Sequence, residues 1–107
     1  MSIIINTTVV GEKIVFAMEG RLDANTSPSL WNVLLPSFDK ISEGGDLRRV
    51  ELDFKKIKVL SSAGLRILLL GEKTAKAKGV EMTLVNVSAE IKEIFDMTGF
   101  SDILNII

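Results

Sequence analysis

Two adjacent serines stand at the most informative point of the chain, where a predicted strand gives way to a predicted helix. Ser61 and Ser62 precede the helix-forming run from Ala63 to Leu70. A serine at a helix N-terminus can cap the helix with its side-chain oxygen, and it presents that oxygen to the positive end of the helix dipole. A phosphoryl group added there would be tolerated by the fold and would be conspicuous to a partner. We interpret the pair as a candidate regulatory switch, with a plain capping role for Ser62 as the alternative.

The composition removes most kinds of catalytic site. The chain has 107 residues with no cysteine and no histidine, which excludes disulfides, thiolate and imidazole chemistry and the usual zinc ligands. The formal net charge is −1 with interspersed signs, so the positive field that nucleic-acid binding needs is missing. No stretch resembles a signal peptide or a membrane span. We expect a cytoplasmic, non-enzymatic module without cofactor or metal, nucleic-acid partner or membrane insertion.

Two fragments resemble catalytic motifs but lack their context. The run from Gly71 to Thr74 echoes the end of a phosphate-binding loop, yet it has no Gly-Lys pair and lies within a predicted helix. Glu51 and Asp53 could be imagined as an acid/base pair, but they lie on one face of a predicted strand with no nucleophile or metal cluster around them. We interpret both fragments as structural.

The elements that position the serines alternate between strand and helix patterns. Ile3 to Val10 and Lys13 to Met18 predict an antiparallel hairpin. Ser27 is a plausible N-cap with Pro28 at the first helical position, and Pro36 predicts a kink or break near Leu35. The later predicted elements are a strand from Arg49 to Phe54, a helix from Ser62 to about Lys78, a strand from Val80 to Val85, and a helix that Ser88 caps and Gly99 ends in a left-handed conformation.

This order predicts one α/β domain spanning residues 1–107. Two strand-helix-strand crossovers should both be right-handed, which places their helices on the same face when the strands are added in one direction. Polar residues on one face of the third and fourth strands indicate that helices do not cover both faces. The predicted fold class is therefore α/β, with a mixed β-sheet, an N-terminal antiparallel hairpin, parallel strands joined by right-handed crossovers, and helices mainly on one face. Trp31 and Met97 are expected in the core.

Three segments, in this order and spacing, resemble the STAS domain family, specifically the bacterial anti-sigma factor antagonists. They are Gly20–Thr26, Ser61–Leu65 and Ile94–Phe100, and the resemblance extends over nearly the whole chain. It implies a single STAS-like domain, and it maps the family's phosphorylated serine onto Ser62, two residues before the Gly-Leu pair. Many members carry aspartate immediately before that serine, where this chain has Ser61.

The resemblance implies regulation by partner switching. The unphosphorylated protein would bind an anti-sigma factor that is also a serine kinase, and phosphorylation of Ser62 would weaken that binding until a separate serine/threonine phosphatase resets the site. Self-association is expected to be absent or weak, as a monomer or weak dimer. The implied partner-binding residues are Asp23, Asn25, Thr26, Ser61, Ala63, Gly64 and Leu65.

Alternatives remain open at this point. Asp23 is equally readily a turn former, Gly64 a packing position that lets the helix approach the sheet, and Leu65 either a core residue or an exposed anchor. STAS modules also occur as stand-alone subunits of lipid- or anion-transport complexes and in sensory assemblies, with structural or ligand-sensing roles. Nucleotide binding by the module itself has only the helix N-terminus in its favour.

Overall fold

Strands and helices alternate along residues 2–107, which are the residues that the computed structural model describes. The strands form one mixed sheet in the order β1-β2-β3-β4-β5, with β1 and β2 antiparallel and the remaining neighbours parallel. In this part of the chain the elements are β1 (Ile3–Val10), β2 (Lys13–Leu22), α1 (Ser27–Ser42), β3 (Arg49–Leu60), α2 (Ser62–Ala77), β4 (Glu81–Val85), α3 (Ala89–Thr98), a 3₁₀ turn (Phe100–Asp102) and β5 (Asn105–Ile106).

One face of the sheet carries the hydrophobic core. Buried residues alternate along β2 and the first half of β3 and lie in register with β4, as with Phe16, Leu52 and Leu84. The α3 residue Phe95 packs edge-on against Phe54 of β3 with ring centroids 6.3 Å apart, so this helix lies on the core face. The predicted α/β class, the N-terminal hairpin and the helices on one face are confirmed. Among residues 2–107, no helix combines the length and apolar character needed to cross a bilayer.

The first helix differs from its prediction at its start and in its middle. Its N-cap is Thr26, and Ser27 is already the first helical residue, donating its hydroxyl to the Asp23 carbonyl oxygen at 2.6 Å. The predicted N-cap at Ser27 is therefore wrong by one position.

Of the predicted kink or break near Leu35, the break does not occur, because α1 continues through Pro36 as one helix. Pro36 and Asn32, the residue four positions earlier whose carbonyl lacks the Pro36 N–H, are both exposed, while Leu34 and Phe38 are buried. The missing hydrogen bond therefore lies on the solvent side of the helix, and the packed side stabilises it.

The third strand is longer than its alternation predicts, reaching Leu60 instead of ending at Phe54. Its pairing with β2 shifts register twice, at the steps Ala17/Glu19 and Gly20/Arg21 of β2. At each step β3 advances one residue more than its neighbour, which is the geometry of a β-bulge. The sheet therefore continues through a segment whose sequence does not alternate.

The bulges explain the unusual burial pattern of this second half of β3. The buried residues Phe54, Ile57 and Leu60 recur at every third position, whereas a regular strand turns alternate residues to the same face. The intervening lysines are all exposed: Lys55, Lys56 and Lys58. The strand remains in the sheet through this charged run because the two bulges keep Phe54, Ile57 and Leu60 in the core while the lysines between them face solvent.

The last helix follows its predicted caps, with one error in its predicted burial. Ser88 accepts a hydrogen bond from the Ile91 N–H at 3.2 Å, and Gly99 ends the helix with φ of 81°. Of the two residues expected in the core, Trp31 of α1 is half-buried against it. Met97, however, is 79% exposed, so its predicted core position is wrong. The buried face of α3 is formed by Ile91 and Phe95, which leaves position 97 on the outer side.

Candidate functional site

The two serines have different roles at the start of α2. Ser61 is the N-cap, with an extended backbone (φ −96°, ψ 175°) and a side-chain oxygen that accepts from the Gly64 N–H at 3.4 Å. Ser62 is the first helical residue and is exposed. Within residues 2–107 its hydroxyl has no hydrogen-bond partner. The capping role considered for Ser62 therefore belongs to Ser61, which leaves the Ser62 hydroxyl free.

The identity of the capping residue bears on the aspartate that the resemblance noted above leads us to expect at position 61. Serine and aspartate are both strong N-caps, because each offers an oxygen to the N–H of the second or third helical residue. Ser61 meets that requirement through Gly64. The exchange of a carboxylate for a hydroxyl thus preserves the cap and removes one negative charge next to Ser62.

Gly64 holds the start of α2 against the ends of β2 and β3. A Cβ built on this residue would lie 2.6 Å from the Leu22 carbonyl oxygen and 2.7 Å from Cδ1 of Leu60. The same Leu22 oxygen accepts the Ser61 N–H at 3.0 Å. No side chain fits at residue 64 while this contact is kept, so the packing role considered for Gly64 is the one observed.

The loop between β2 and α1 lies next to the start of α2, and hydrogen bonds from its own side chains hold its shape. One carboxylate oxygen of Asp23 accepts the N–H groups of Asn25 at 3.0 Å and Thr26 at 3.2 Å. The buried Thr26 hydroxyl donates to the Arg21 carbonyl at 2.7 Å and accepts the Asp23 N–H at 3.0 Å. Asp23 is therefore a turn former, and its carboxylate is already engaged when a partner approaches.

Opposing effects act on the Asp23 carboxyl. Partial burial raises its pKa, but the hydrogen bonds from the Asn25 and Thr26 N–H groups, the Thr26 hydroxyl and Arg21 together lower it below the ordinary value. Arg21 lies 3.5 Å from the carboxylate. The loop consequently keeps its negative charge at neutral pH.

The electrostatics around Ser62 suit an added anion. The first turn of α2 has no acidic residue, and the N–H groups of Ser62 and Ala63 belong to the first turn, where no intrahelical acceptor exists. Arg66 is exposed one turn further along the helix. A phosphoryl group on Ser62 would meet N–H donors and a cation without a competing carboxylate from its own turn.

The predicted partner-binding residues occupy two adjoining segments with different accessibility. Leu22 joins the segments, since its carbonyl contacts the start of α2 and its chain continues into the Asp23 loop. Asn25 is exposed, and Thr26 and Gly64 are buried, so we expect the last two to position neighbours without touching a partner. Half-buried positions are Asp23, Ser61, Ala63 and Leu65.

The fragments that resembled catalytic motifs have structural partners. Glu51 forms an ion pair with Lys13 at 3.0 Å. Asp53 accepts hydrogen bonds from the Lys55 N–H at 2.9 Å and the Asn86 side chain at 3.1 Å. Gly71 and Glu72 are buried inside α2. No group of acidic residues with metal-binding geometry occurs within residues 2–107.

Comparison with known proteins gives one family. The STAS domain family model matches residues 4–107. The anti-sigma-B factor antagonist of Bacillus subtilis is 31% identical over 87 residues, covering 81% of this chain and 74% of that protein. An anti-sigma factor antagonist from Mycobacterium paratuberculosis has a similar structure, with a TM-score of 0.81 at 16% identity over 97% of this chain and 84% of the other. The Bacillus cell fate determinant SpoIIAA in its phosphorylated form superposes with a TM-score of 0.70 at 16% identity over 97% and 91% of the two chains.

Proposed function

The chain belongs to the STAS domain family, and on that basis we propose that it is an anti-sigma factor antagonist that acts by partner switching. In its unphosphorylated form it binds an anti-sigma factor with serine kinase activity, so that the sigma factor is released. Phosphorylation of Ser62 weakens the complex, and a serine/threonine phosphatase restores it. The proposed setting is the cytoplasm, where these partners act.

One observation carries the proposal: the Ser62 hydroxyl is exposed and free because Ser61 supplies the cap. A kinase can therefore modify Ser62 without unfolding the first turn of α2. Curated relatives that are anti-sigma factor antagonists, and a similar fold known in a phosphorylated form, support the same assignment.

The switch needs a change of surface but no change of fold. An interface that covers Ser62 accepts a small hydroxyl, whereas phosphoserine brings about −1.5 to −2 charges that must be desolvated or paired. A penalty of about 3 kcal/mol weakens binding roughly a hundredfold, enough to move the kinase between two complexes of comparable affinity. The N–H groups and the helix dipole at the start of α2 stabilise the phosphate locally, so the domain stays folded.

The test uses purified protein, a candidate cognate kinase and ATP. We expect mass spectrometry to place one phosphate on Ser62, Ser62→Ala to bind the kinase like the unmodified protein, and Ser62→Asp to bind less well. The matched control is Ser42→Ala, because it removes an exposed hydroxyl at the end of α1 and leaves Ser61 and Ser62 intact. A phosphate on another residue would refute the site, and an absence of kinase binding in either state would refute the function.

A further inference from the structure

Three lysines near the end of β3 form a surface that the proposed switch does not use. Lys55, Lys56 and Lys58, here called the lysine surface, are all exposed. The ion pairs of residues 2–107 use other cations, those of Lys13, Arg21, Arg49, Lys78 and Lys92. The chain has a net charge of −1, so these unpaired charges give an overall acidic molecule a locally basic region.

The fold exposes these lysines through its irregular pairing. The two register shifts between β2 and β3 place an extra β3 residue at each bulge, and bulges commonly redirect side chains near functional sites. Lys55 and Lys56 border a shallow recess of about 90 Å³ on the helix-free face, together with Asn6, Ala17 and Asp53. The face is therefore open and uncovered by any helix of the described chain.

The lysine surface adjoins the proposed switch. β3 runs directly into Ser61, and at a rise of about 3.3 Å per residue Lys58 lies at most about 13 Å from Ser62 and Lys55 at most about 23 Å. A standard interface buries about 800 Å² on each partner, a patch of about 16 Å radius. A kinase centred on Ser62 would thus cover Lys58, while Lys55 and Lys56 lie up to about 7 Å outside the edge of such a patch, within the screening length of about 10 Å at 0.1 M salt.

We infer that the lysine surface is a second part of the docking surface and receives an acidic segment of the anti-sigma factor kinase. This inference rests on the proposed function. Charges at the rim of an interface act mainly on the association rate and on its salt dependence. The lysines would attract and orient the kinase whether or not Ser62 is phosphorylated, while Ser62 controls how long the complex lasts.

A protein segment fits this surface better than a uniform polyanion. Glu19 lies opposite Lys56 in the register and borders the same recess, and Asp53 is also part of its lining. A nucleic-acid backbone or an anionic lipid layer would place negative charge against both carboxylates. A protein segment can alternate carboxylates, which face the lysines, with hydrogen-bond donors, which face the carboxylates of Glu19 and Asp53.

The test measures association and dissociation rates between the full chain and the kinase at low and high salt. At about 0.05 M salt we expect Lys55→Gln/Lys56→Gln to associate roughly tenfold more slowly than wild type. The matched control Lys40→Gln/Lys76→Gln removes two exposed lysines of α1 and α2 that form no ion pair within residues 2–107. Lys76 lies about 21 Å along the helix from Ser62, so this variant should associate within about twofold of wild type. Glu19→Gln should associate faster, since it removes the opposing charge.

Slower association of the lysine double variant together with faster association of Glu19→Gln cannot arise from misfolding, because misfolding would slow both. At about 1 M salt, where the screening length is about 3 Å, the rates of all variants should converge. Equal effects of the two double variants, or slower association of Glu19→Gln, would overturn the inference while leaving the Ser62 switch intact. The inference would also be overturned if Lys55→Gln/Lys56→Gln lost binding to anionic vesicles or DNA while its association with the kinase stayed unchanged. Failure of the wild-type protein to bind the kinase would instead refute the proposed function.

Discussion

Replacing Gly64 with alanine is expected to destabilise the protein and displace the start of α2. The added Cβ would lie 2.6 Å from the Leu22 carbonyl oxygen and 2.7 Å from Cδ1 of Leu60. The closer neighbour is backbone, and it already accepts the Ser61 N–H at 3.0 Å. Relief therefore requires moving the end of β2 or the first turn of the helix, and either movement breaks that hydrogen bond.

Two opposing effects determine the size of this loss. Alanine is favoured over glycine within a helix by roughly 1 kcal/mol. Overpacking costs about 1–3 kcal/mol, and loss of the hydrogen bond between Ser61 and Leu22 adds about 1 kcal/mol. The free energy of unfolding should therefore fall by about 1–3 kcal/mol. Because the displaced turn carries Ser62, phosphorylation by the kinase should slow in the same variant.

Gly71, on the same helix, offers a matched control. A Cβ there would meet Sδ of Met82 at 3.2 Å and Cδ1 of Leu34 at 3.5 Å, both of them ends of flexible side chains. Gly71→Ala should therefore stay within about 1 kcal/mol of wild type or exceed it, because the gain in helix propensity offsets a small repacking. Urea unfolding followed by circular dichroism compares the two variants. Wild-type stability in Gly64→Ala, or a larger loss in Gly71→Ala, would refute the close-approach reasoning.

Three further predictions concern the cap and two carboxyl groups. Ser61→Ala should lower the free energy of unfolding by about 1 kcal/mol, whereas Ser61→Asp should retain it because aspartate also caps; equal losses in urea unfolding would contradict the capping role. The lowered pKa of Asp23 means that its charge stabilises the fold above the ordinary pKa and that this contribution disappears as pH falls through the folded-state pKa. The stability advantage of wild type over Asp23→Asn should therefore shrink in acid, and an advantage that grew would contradict it. Burial raises the pKa of Glu72, with Lys76 opposing and Glu81 reinforcing the shift, so ionisation of Glu72 destabilises the fold as pH rises. Glu72→Gln should match wild type at low pH and exceed it at pH 7, and lower stability at pH 7 would contradict the burial argument.

The capping role of Ser61 explains how serine can stand where the resemblance leads us to expect aspartate. The position requires an oxygen that can accept the Gly64 N–H, and serine provides one. What changes is charge, because an aspartate would place a carboxylate beside Ser62, the proposed phosphorylation site. We therefore expect Ser61→Asp to keep the fold and to add repulsion against a phosphoryl group on Ser62.

Local patterns predicted most of the elements because their causes are local. The hairpin follows from two β-rich runs around Gly11-Glu12, and the end of α3 follows from Gly99, which adopts φ of 81°. The order of strands and helices then restricts the topology, since right-handed crossovers place successive helices on one face. The resemblance of three segments to the STAS family is confirmed by the family model, which matches residues 4–107.

Periodicity and caps indicated an α/β domain with two serines at the start of its second helix, because they are properties of neighbouring residues. The resemblance of three segments added the STAS family. Which serine caps α2 depends instead on contacts between distant residues, because the helix starts where Gly64 packs against the Leu22 carbonyl. The tertiary structure also decided that β3 continues through three lysines and that Met97 faces solvent. Bulges and burial depend on the neighbouring strand and the packing of distant elements, and these are contacts that no local pattern contains.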